Sequence, residues 1–331
     1  MADIAITTEL QEIQNNLWGT NVRENIALAL EKLQNLPEEP NTIQGSLKNS
    51  KLSLLKVSIQ NMENTLQSRK DQLDRIKARL EQASGRTILQ YGKCGNDVYY
   101  TICDDGEAAL YGTGATYDYT SHDSVFYQNN QIKEIVLSNG ITGLGDRLFY
   151  HCANAETVSL PATLTSIGDS AFAQEDAAIG YTAGLTSVTI PQAVTAIQSY
   201  AFYHTAIAEV TVPASVKTWG KYAFSGCAKL KTARVACDSI GAFAFTRCTA
   251  LSSLTISANC TKIGTCMLTY CSSLTEITYE GTKAQWDAIE KGTNWDSRHG
   301  ADHEDVLSKI ICSDGNWIFN EETKTWEEET A

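Results

Sequence analysis

Basic residues are scarce in this chain of 331 residues. Lys and Arg number 26 against 39 Asp and Glu, which gives a formal net charge of −13. An acidic balance argues against nucleic acid or an anionic membrane as the main partner. No apolar run reaches the length of a membrane-spanning helix, so we expect no membrane insertion.

The sequence also lacks the signals of secretion and of catalysis. The first residues, "MADIAITTELQEIQNN", have neither a basic start nor an apolar segment, so we expect no secretory signal. The ten cysteines are then expected to be mostly reduced thiols. We find no catalytic constellation and expect neither enzyme activity nor a cofactor. A Gly-x-Gly in "YGTGATY", Tyr111 to Tyr117, lacks the strand-turn-helix context of a phosphate loop.

Proline is rare as well, at five residues, but its placement is regular. Pro161, Pro191 and Pro213 stand at the same point of a recurring sequence. The units start at Ile132, Ala155, Leu185, Ile207, Leu230, Leu251 and Leu274. They follow every 21 to 23 residues, except where residues 173–184 are inserted before the third unit. Such self-similarity predicts a repeat architecture.

Each unit predicts a short strand followed by buried plugs. In "IAEVTVPASVKTWGKYAFSGC", Val210 and Val212 face one side of the strand and Thr211 faces the other. Pro213 ends the strand, because proline cannot donate to the ladder. An Ala-Phe pair then supplies a small and a large plug for the core. One unit alone leaves its strand edges unpaired and its apolar face exposed to solvent, so neighbouring units must stack into a solenoid.

The recurring elements L-x-x-[VI]-x-[IL]-P, I-G and A-F-x-x-C resemble the BspA-like class of leucine-rich repeats. Residues 86–131 resemble the β-rich N-terminal cap of such arrays, and "AQWDAIEKGTNW" with a late "ICSDG" resembles their tail. The resemblance implies leucine-rich repeats over 132–280 and a C-terminal capping segment over 281–331. The predicted fold class is α+β and multidomain, with N-terminal helices and a coiled coil before a β-solenoid.

Residues 4–36 predict two short helices interrupted at Gly19, with Asn21 and Glu24 as a capping box. The string "LWGTNVRENIALALEKL" resembles N-terminal segments of tail and baseplate proteins of phages that infect gut Gram-positive bacteria. That resemblance implies a helical attachment segment over residues 1–40. A small amphipathic hairpin is the alternative.

Residues 41–85 contain a heptad pattern that predicts a coiled-coil stalk. The apolar seam residues are Leu52, Leu55, Ile59, Met62, Leu66, Leu73, Ile76 and Leu80. Leu at one seam position and Ile at the other favour a trimer over a dimer, and Arg69 interrupts one layer. A single amphipathic helix packed on the repeat domain is the alternative.

Two groups of residues have side chains that can bind metal ions. His299 and His303 lie four apart in "RHGADHED", a spacing that could hold a metal on a helix, but a solvated acidic loop is the favoured interpretation. Four further residues share one column of the repeat: Cys152, Cys227, Cys248 and Cys271. Thiols along a line do not make a tetrahedral zinc site, so we expect a packing ladder and no metal.

The candidate ligand-binding residues flank the Ala-Phe pairs or lie in the insertion. They are Tyr150, His151, Tyr181, Tyr200, Tyr203, His204, Tyr222, Arg247 and Tyr270. Tyrosine offers rigid contact area with a polar tip, which suits glycan or protein ligands. The alternative is that half of these side chains are partly buried residues of the repeat.

These observations predict a receptor-binding or adhesion protein without enzyme activity. The favoured version is a phage tail or baseplate protein of the virion that recognises a bacterial surface glycan or protein. Its expected partners are two further copies through the coiled coil, and other tail proteins through residues 1–40. The alternative is a BspA-like bacterial adhesin, secreted or held at the cell surface.

Overall fold

The computed structural model describes part of a helical segment between residues 53 and 82, and then residues 85–120, 122–174, 183–296 and 307–329. The chain divides into two compact units, Met1–Ile88 and Leu89–Ala331. Within the described residues, no helix has the length and apolar character that crossing a bilayer requires.

In the first unit, every described residue between 53 and 82 is helical. Ile59 is the one predicted seam residue that is described, and it is half-buried. The other seam residues lie outside the described residues: Leu52, Leu55, Met62, Leu66, Leu73, Ile76 and Leu80. The predicted attachment segment, residues 1–40, also lies outside them, so the coiled coil, the trimer and the attachment role stay predictions.

Three strands precede the repeats. β1 (Ile88–Lys93) adjoins β2 (Gly95–Cys103), and β2 pairs antiparallel with β3 (Glu107–Thr116). β3 is long enough to start two sheets. Its first half pairs in parallel with β4 (Glu134–Leu137), and its second half pairs in parallel with β5 (Ile141–Leu144). The N-terminal cap therefore provides a hydrogen-bonded neighbour for both strands of the first repeat, β4 and β5.

The first strands of the repeats form two parallel sets. β4 pairs with β6 (Thr157–Ser159) in the sheet that contains the cap. After the third unit, the main sheet contains the parallel strands β9 (Glu209–Val212), β11 (Thr232–Val235), β13 (Ser253–Ile256), β15 (Glu276–Tyr279) and β17 (Lys309–Cys312). The register is regular, since Val210 is opposite Ala233 and Ala233 is opposite Leu254. Val210 and Val212 are buried and Thr211 is exposed, which confirms the alternation predicted from the sequence.

A second series of short parallel strands follows the first in each repeat. These are β7 (Ser166–Ile167), β8 (Ala196–Ile197), β10 (Thr218–Trp219), β12 (Ser239–Ile240), β14 (Lys262–Ile263) and β16 (Glu290–Lys291). β5, β7, β8 and β10 stack in one sheet, and β12, β14 and β16 stack in another. Two rows of strands per repeat complete a β-solenoid.

The core of the array is a ladder of phenylalanines, one from the cap and one from each of the first five repeats. Its members are Phe126, Phe149, Phe172, Phe202, Phe224 and Phe245. Neighbouring ring centroids lie 4.7 to 6.0 Å apart. Leu268, where the sequence departs from phenylalanine, is 3% exposed and takes the next place. The Ala-Phe pair is thus confirmed as buried in the four repeats that carry it.

The array ends in a short helix, Lys283–Asp287, and an antiparallel hairpin. β18 (Gly315–Asn320) pairs with β17, and β19 (Thr325–Glu328) pairs with β18. Phe319 is opposite Trp326, with ring centroids 5.4 Å apart. The hairpin extends the main sheet with antiparallel strands.

Candidate functional site: an aromatic cleft on the repeat array

The site is built on the turn that precedes the buried pair in each repeat. The residue before the pair has a positive φ: 57° at Tyr200, 59° at Tyr222 and 58° at Phe243. This left-handed conformation is uncommon for bulky residues, and hydrogen bonds between repeats hold it. Tyr222 N donates to Ala242 O at 3.0 Å, and Phe243 N donates to Thr265 O at 2.8 Å. These side chains lie at the surface rather than in the core.

Three of these side chains form a second aromatic stack, which we call the surface ladder: Tyr200, Tyr222 and Phe243. The ring centroids of Tyr200 and Tyr222 are 5.0 Å apart, and those of Tyr222 and Phe243 are 4.4 Å apart. Both pairs are within 8° of parallel. Tyr203 meets Tyr200 edge-on at 5.4 Å. The stacking follows from the repeat itself, because neighbouring strands lie about 4.8 Å apart.

The surface ladder stops after Phe243, because the next repeat has Cys266 at that position. Cys266 keeps the positive φ, 52°, and its N donates to Thr293 O at 3.0 Å. A thiol is much smaller than a ring, and a cleft of about 360 Å³ lies here. It is lined by Tyr200, Tyr203, Tyr222, Ser225, Phe243, Thr246, Arg247, Cys266, Thr269 and Tyr270.

Hydroxyl groups fix the floor of the cleft to the backbone. Ser225 Oγ donates to Thr246 O at 3.0 Å, and Thr246 Oγ1 donates to Cys266 O at 2.9 Å. Thr269 Oγ1 donates to the same Cys266 oxygen at 3.3 Å. Ser225 and Thr246 are buried, so these bonds hold the turns of three successive repeats in one arrangement.

Among the described residues that line the cleft, Arg247 is the one with a formally charged side chain. Its guanidinium carbon lies 5.7 Å from the ring centroid of Tyr270, a cation–π contact. No carboxylate of the described residues forms an ion pair with Arg247. Burial raises the pKa of Tyr200, and Tyr222 and Asp169 raise it further, so its hydroxyl stays protonated at neutral pH. The cleft therefore presents a guanidinium and several hydroxyl groups.

The structure brings part of the predicted site together. Tyr200, Tyr203, Tyr222, Arg247 and Tyr270 all line the cleft. The sequence implied this common location, because these residues flank the same position in four consecutive repeats. Three of those repeats have an Ala-Phe pair there, and the fourth has Leu268 in place of the phenylalanine. This shared location is what makes them a candidate site.

The other predicted residues lie elsewhere. Tyr150, with half-buried His151 beside it, stacks on Tyr127 at 5.9 Å and so belongs to a separate aromatic cluster. His204 is 2% exposed and lies beneath the surface. The next repeat makes room for its imidazole with Gly226, where an added Cβ would lie 2.1 Å from His204 Cδ2. Tyr181 lies outside the described residues.

Sequence reasoning missed Phe243, Ser225 and Cys266. Phe243 had a usable signal, because it stands before its Ala-Phe pair as Tyr200 and Tyr222 do. Ser225 gave no signal, since its role depends on a backbone contact between repeats. Cys266 becomes informative only after the surface ladder is known, because its small size is what ends that ladder.

The cysteine column is a hydrogen-bonded packing ladder in the structure. Its members are Cys152, Cys227, Cys248 and Cys271. Each Sγ donates to the carbonyl oxygen of the core phenylalanine one repeat earlier, at 3.0 to 3.2 Å. Burial raises the pKa of the Cys152, Cys227 and Cys271 thiols to about 12. Nowhere in the described part of the chain do His, Cys, Asp and Glu cluster as metal ligands; His299 and His303 lie outside it.

Parallel strands at a regular register, a ladder of core phenylalanines and strands that cap both ends define a leucine-rich-repeat β-solenoid. The sequence profile of the "BspA type Leucine rich repeat region" matches six copies over residues 119–179 and 174–288, more than half of the chain. The chain belongs to the BspA-type leucine-rich repeat family. A comparison with curated proteins finds no significant match.

Several solved structures of bacterial proteins are similar to this chain at low identity. A leucine-rich repeat protein from Eubacterium ventriosum is 18% identical over 67% of this chain and 93% of its own, with a TM-score of 0.34. A leucine-rich repeat protein from T. pallidum is 20% identical over 56% and 87%, with a TM-score of 0.38. The pneumococcal vaccine antigen PcpA is 14% identical over 67% and 89%, with a TM-score of 0.29.

Proposed function

We propose that this chain is a recognition protein whose repeat array binds a glycan or a protein on a bacterial surface. The observation that carries the proposal is the surface ladder with its cleft, which combines stacked rings, a cation and hydroxyl groups. Aromatic and arginine side chains dominate the binding energy of many interfaces. Membership in the BspA-type family supports an adhesin-like role.

Recognition is favoured over catalysis by the chemistry of the cleft. The lining residues that the structure describes supply hydroxyls, one thiol and one guanidinium, but neither a carboxylate nor an imidazole. A general base is most often one of those two groups. The proposal therefore includes no catalytic step, no cofactor and no resident metal.

In its finer form, the proposal is that the chain is a phage tail or baseplate protein. Residues 1–40 would bind other tail proteins, and the heptads of residues 41–85 would join three copies. The support is the string "LWGTNVRENIALALEKL" and the heptad pattern. Several weak sites joined by one stalk gain avidity without any new contact. A secreted or cell-surface adhesin is the second candidate, and the family is what favours it.

The proposal is tested by the binding of the fluorescently labelled full chain to bacterial cells and to cell walls purified from them. Tyr222→Ala removes the middle ring of the surface ladder, so we expect binding to weaken by at least about tenfold. Tyr150→Ala, in the separate aromatic cluster, is the matched control and should bind like the parent. If Tyr222→Ala also binds like the parent, the cleft is not the recognition site.

A further inference from the structure

Phe243 is the last ring of the surface ladder and lines the cleft. Its ring stacks on Tyr222 at 4.4 Å, and no second aromatic ring of the described residues stacks on Phe243. The position that would carry the next ring holds Cys266. The cleft therefore contains the space that one more ring of the surface ladder would occupy.

The backbone beside that space repeats the geometry of the existing stack. The backbone at Cys266 has nearly the φ of Phe243, 52° against 58°, and makes the same kind of hydrogen bond to the next repeat. A ring of a ligand above Cys266 would continue the spacing of 4.4 to 5.0 Å found along the ladder. A cleft of about 360 Å³ falls within the range of small-ligand pockets.

The charge of the cleft selects among ring-shaped ligands. Arg247 lines it, and no carboxylate of the described residues pairs with that guanidinium. A carboxylate is the group with which a guanidinium forms its strongest hydrogen bonds. The net charge of −13 repels anions only at short range at physiological salt, because screening acts beyond about 8 Å. The positive charge of Arg247 therefore favours a ligand with a negative charge.

We propose that the cleft binds an acidic sugar, whose ring stacks on Phe243 above Cys266 and whose carboxylate pairs with Arg247. This inference rests on the proposed recognition function and names its ligand class. An aromatic side chain of a partner protein would stack on Phe243 alone. An acidic sugar also supplies the anion for Arg247, which lines the same cleft.

The first experiment measures binding of tetragalacturonate to the full-length chain, with neutral maltotetraose as the control of equal length. We expect tetragalacturonate to bind at least about tenfold more tightly. Cys266 supplies a local readout, because it alone among the described cysteines is not buried. Bound tetragalacturonate should slow the alkylation of Cys266 by iodoacetamide, and maltotetraose should not.

Two variants and one control assign the binding to the cleft. Cys266→Phe places a ring in the open space and should weaken tetragalacturonate binding by at least about tenfold, whereas Cys266→Ser keeps the space and should bind like the parent. Arg247→Gln should weaken tetragalacturonate binding by at least about tenfold with an unchanged melting temperature. Arg247→Gln keeps the test decisive even if Cys266→Phe proves unstable.

The outcomes separate the ligand class from the recognition function. Unchanged affinity in both Cys266→Phe and Arg247→Gln would overturn the acidic-sugar site, and a loss confined to Cys266→Phe would overturn the pairing with Arg247. Protection of Cys266 by the peptide Tyr-Asp-Tyr-Asp instead of by the sugar would overturn it in favour of a protein partner. If Cys266→Phe abolishes cell binding but no acidic sugar binds, the recognition function stands and the ligand class is wrong.

Discussion

At the scale of single residues, one backbone position decides whether a side chain serves the core or the surface. Phe243 and Phe245 stand two residues apart, yet Phe245 is fully buried in the core ladder and Phe243 lines the cleft. The sequence predicts that an Ala-Phe pair is buried, because a small and a large plug recur in register. It does not predict that Phe243 projects, since that depends on a positive φ fixed by the next repeat.

The buried thiols predict how stability changes with pH. Cys227 is fully buried and its pKa is raised from 9.0 to about 12. Above about pH 9 the unfolded chain loses this proton and the folded chain keeps it, so the contribution to stability is complete below pH 9 and is lost as pH rises towards 12. Between pH 9 and 11, we expect the free energy of unfolding of the parent to fall more steeply than that of Cys227→Ala, by up to about 1.4 kcal/mol per pH unit.

The measurement is urea denaturation in the presence of a reducing agent, at steps of half a pH unit. Cys227→Ala is also less stable at neutral pH, because it leaves a small cavity. The slopes against pH are therefore compared, and not the absolute values. Parallel slopes for the parent and Cys227→Ala would show that this thiol does not contribute.

At the scale of elements, the spacing of the repeats depends on the glycine that follows most of the short second strands. A Cβ added to Gly241 would lie 2.4 Å from Gly220 O, far closer than any real contact. We expect Gly241→Ala to force the two turns apart and to destabilise the array by about 1–3 kcal/mol, as overpacking does elsewhere. Thermal and urea denaturation measure the change.

The third repeat supplies the control for this substitution. It has Gln198 where its neighbours have glycine, so a Cβ is already accommodated there. Gln198→Ala should change the free energy of unfolding by about 0.5 kcal/mol or less. Equal losses in Gly241→Ala and Gln198→Ala would contradict a role for close approach between turns.

The sequence predicts the elements well wherever the repeat is regular. The step of 21 to 23 residues places the main-sheet strands, and the pairing of β9, β11, β13 and β15 follows it. The third unit is the exception. Residues 187–190 alternate like a strand but are not in one, because strand formation needs a neighbour at strand spacing and an insertion precedes this unit. The alternation of residues 187–190 does not reveal whether a neighbouring strand is present.

At the scale of the whole molecule, the strength of recognition depends on how many copies are joined. The heptads of residues 41–85 predict a trimer of the full chain and a monomer of a version that starts at Gly85. Light scattering measures both molar masses. Two monomers would contradict the stalk, and the phage proposal would then rest on the N-terminal string alone.

Deletion of residues 1–40 is the matched control for the stalk. This version keeps the heptads and the repeats, so we expect it to remain a trimer and to bind cells like the parent. Within phage particles it should fail to assemble, because the proposed attachment segment is missing. Loss of the trimer in this version would place the oligomerisation residues before the heptads.

The double pairing of β3 has a consequence for how the chain acquires its structure. β3 pairs with β4 and β5, so one strand from the cap offers hydrogen-bonding partners to both rows of the first repeat. In a solenoid each repeat contacts only its neighbours, and the entropic cost of closing a loop of about 20 residues is modest. A chain that leaves the ribosome presents β3 before any repeat. Each repeat can then pair with a strand edge that has already formed when the repeat leaves the ribosome. Folding would then proceed from the N-terminal cap towards the C-terminus, one repeat at a time.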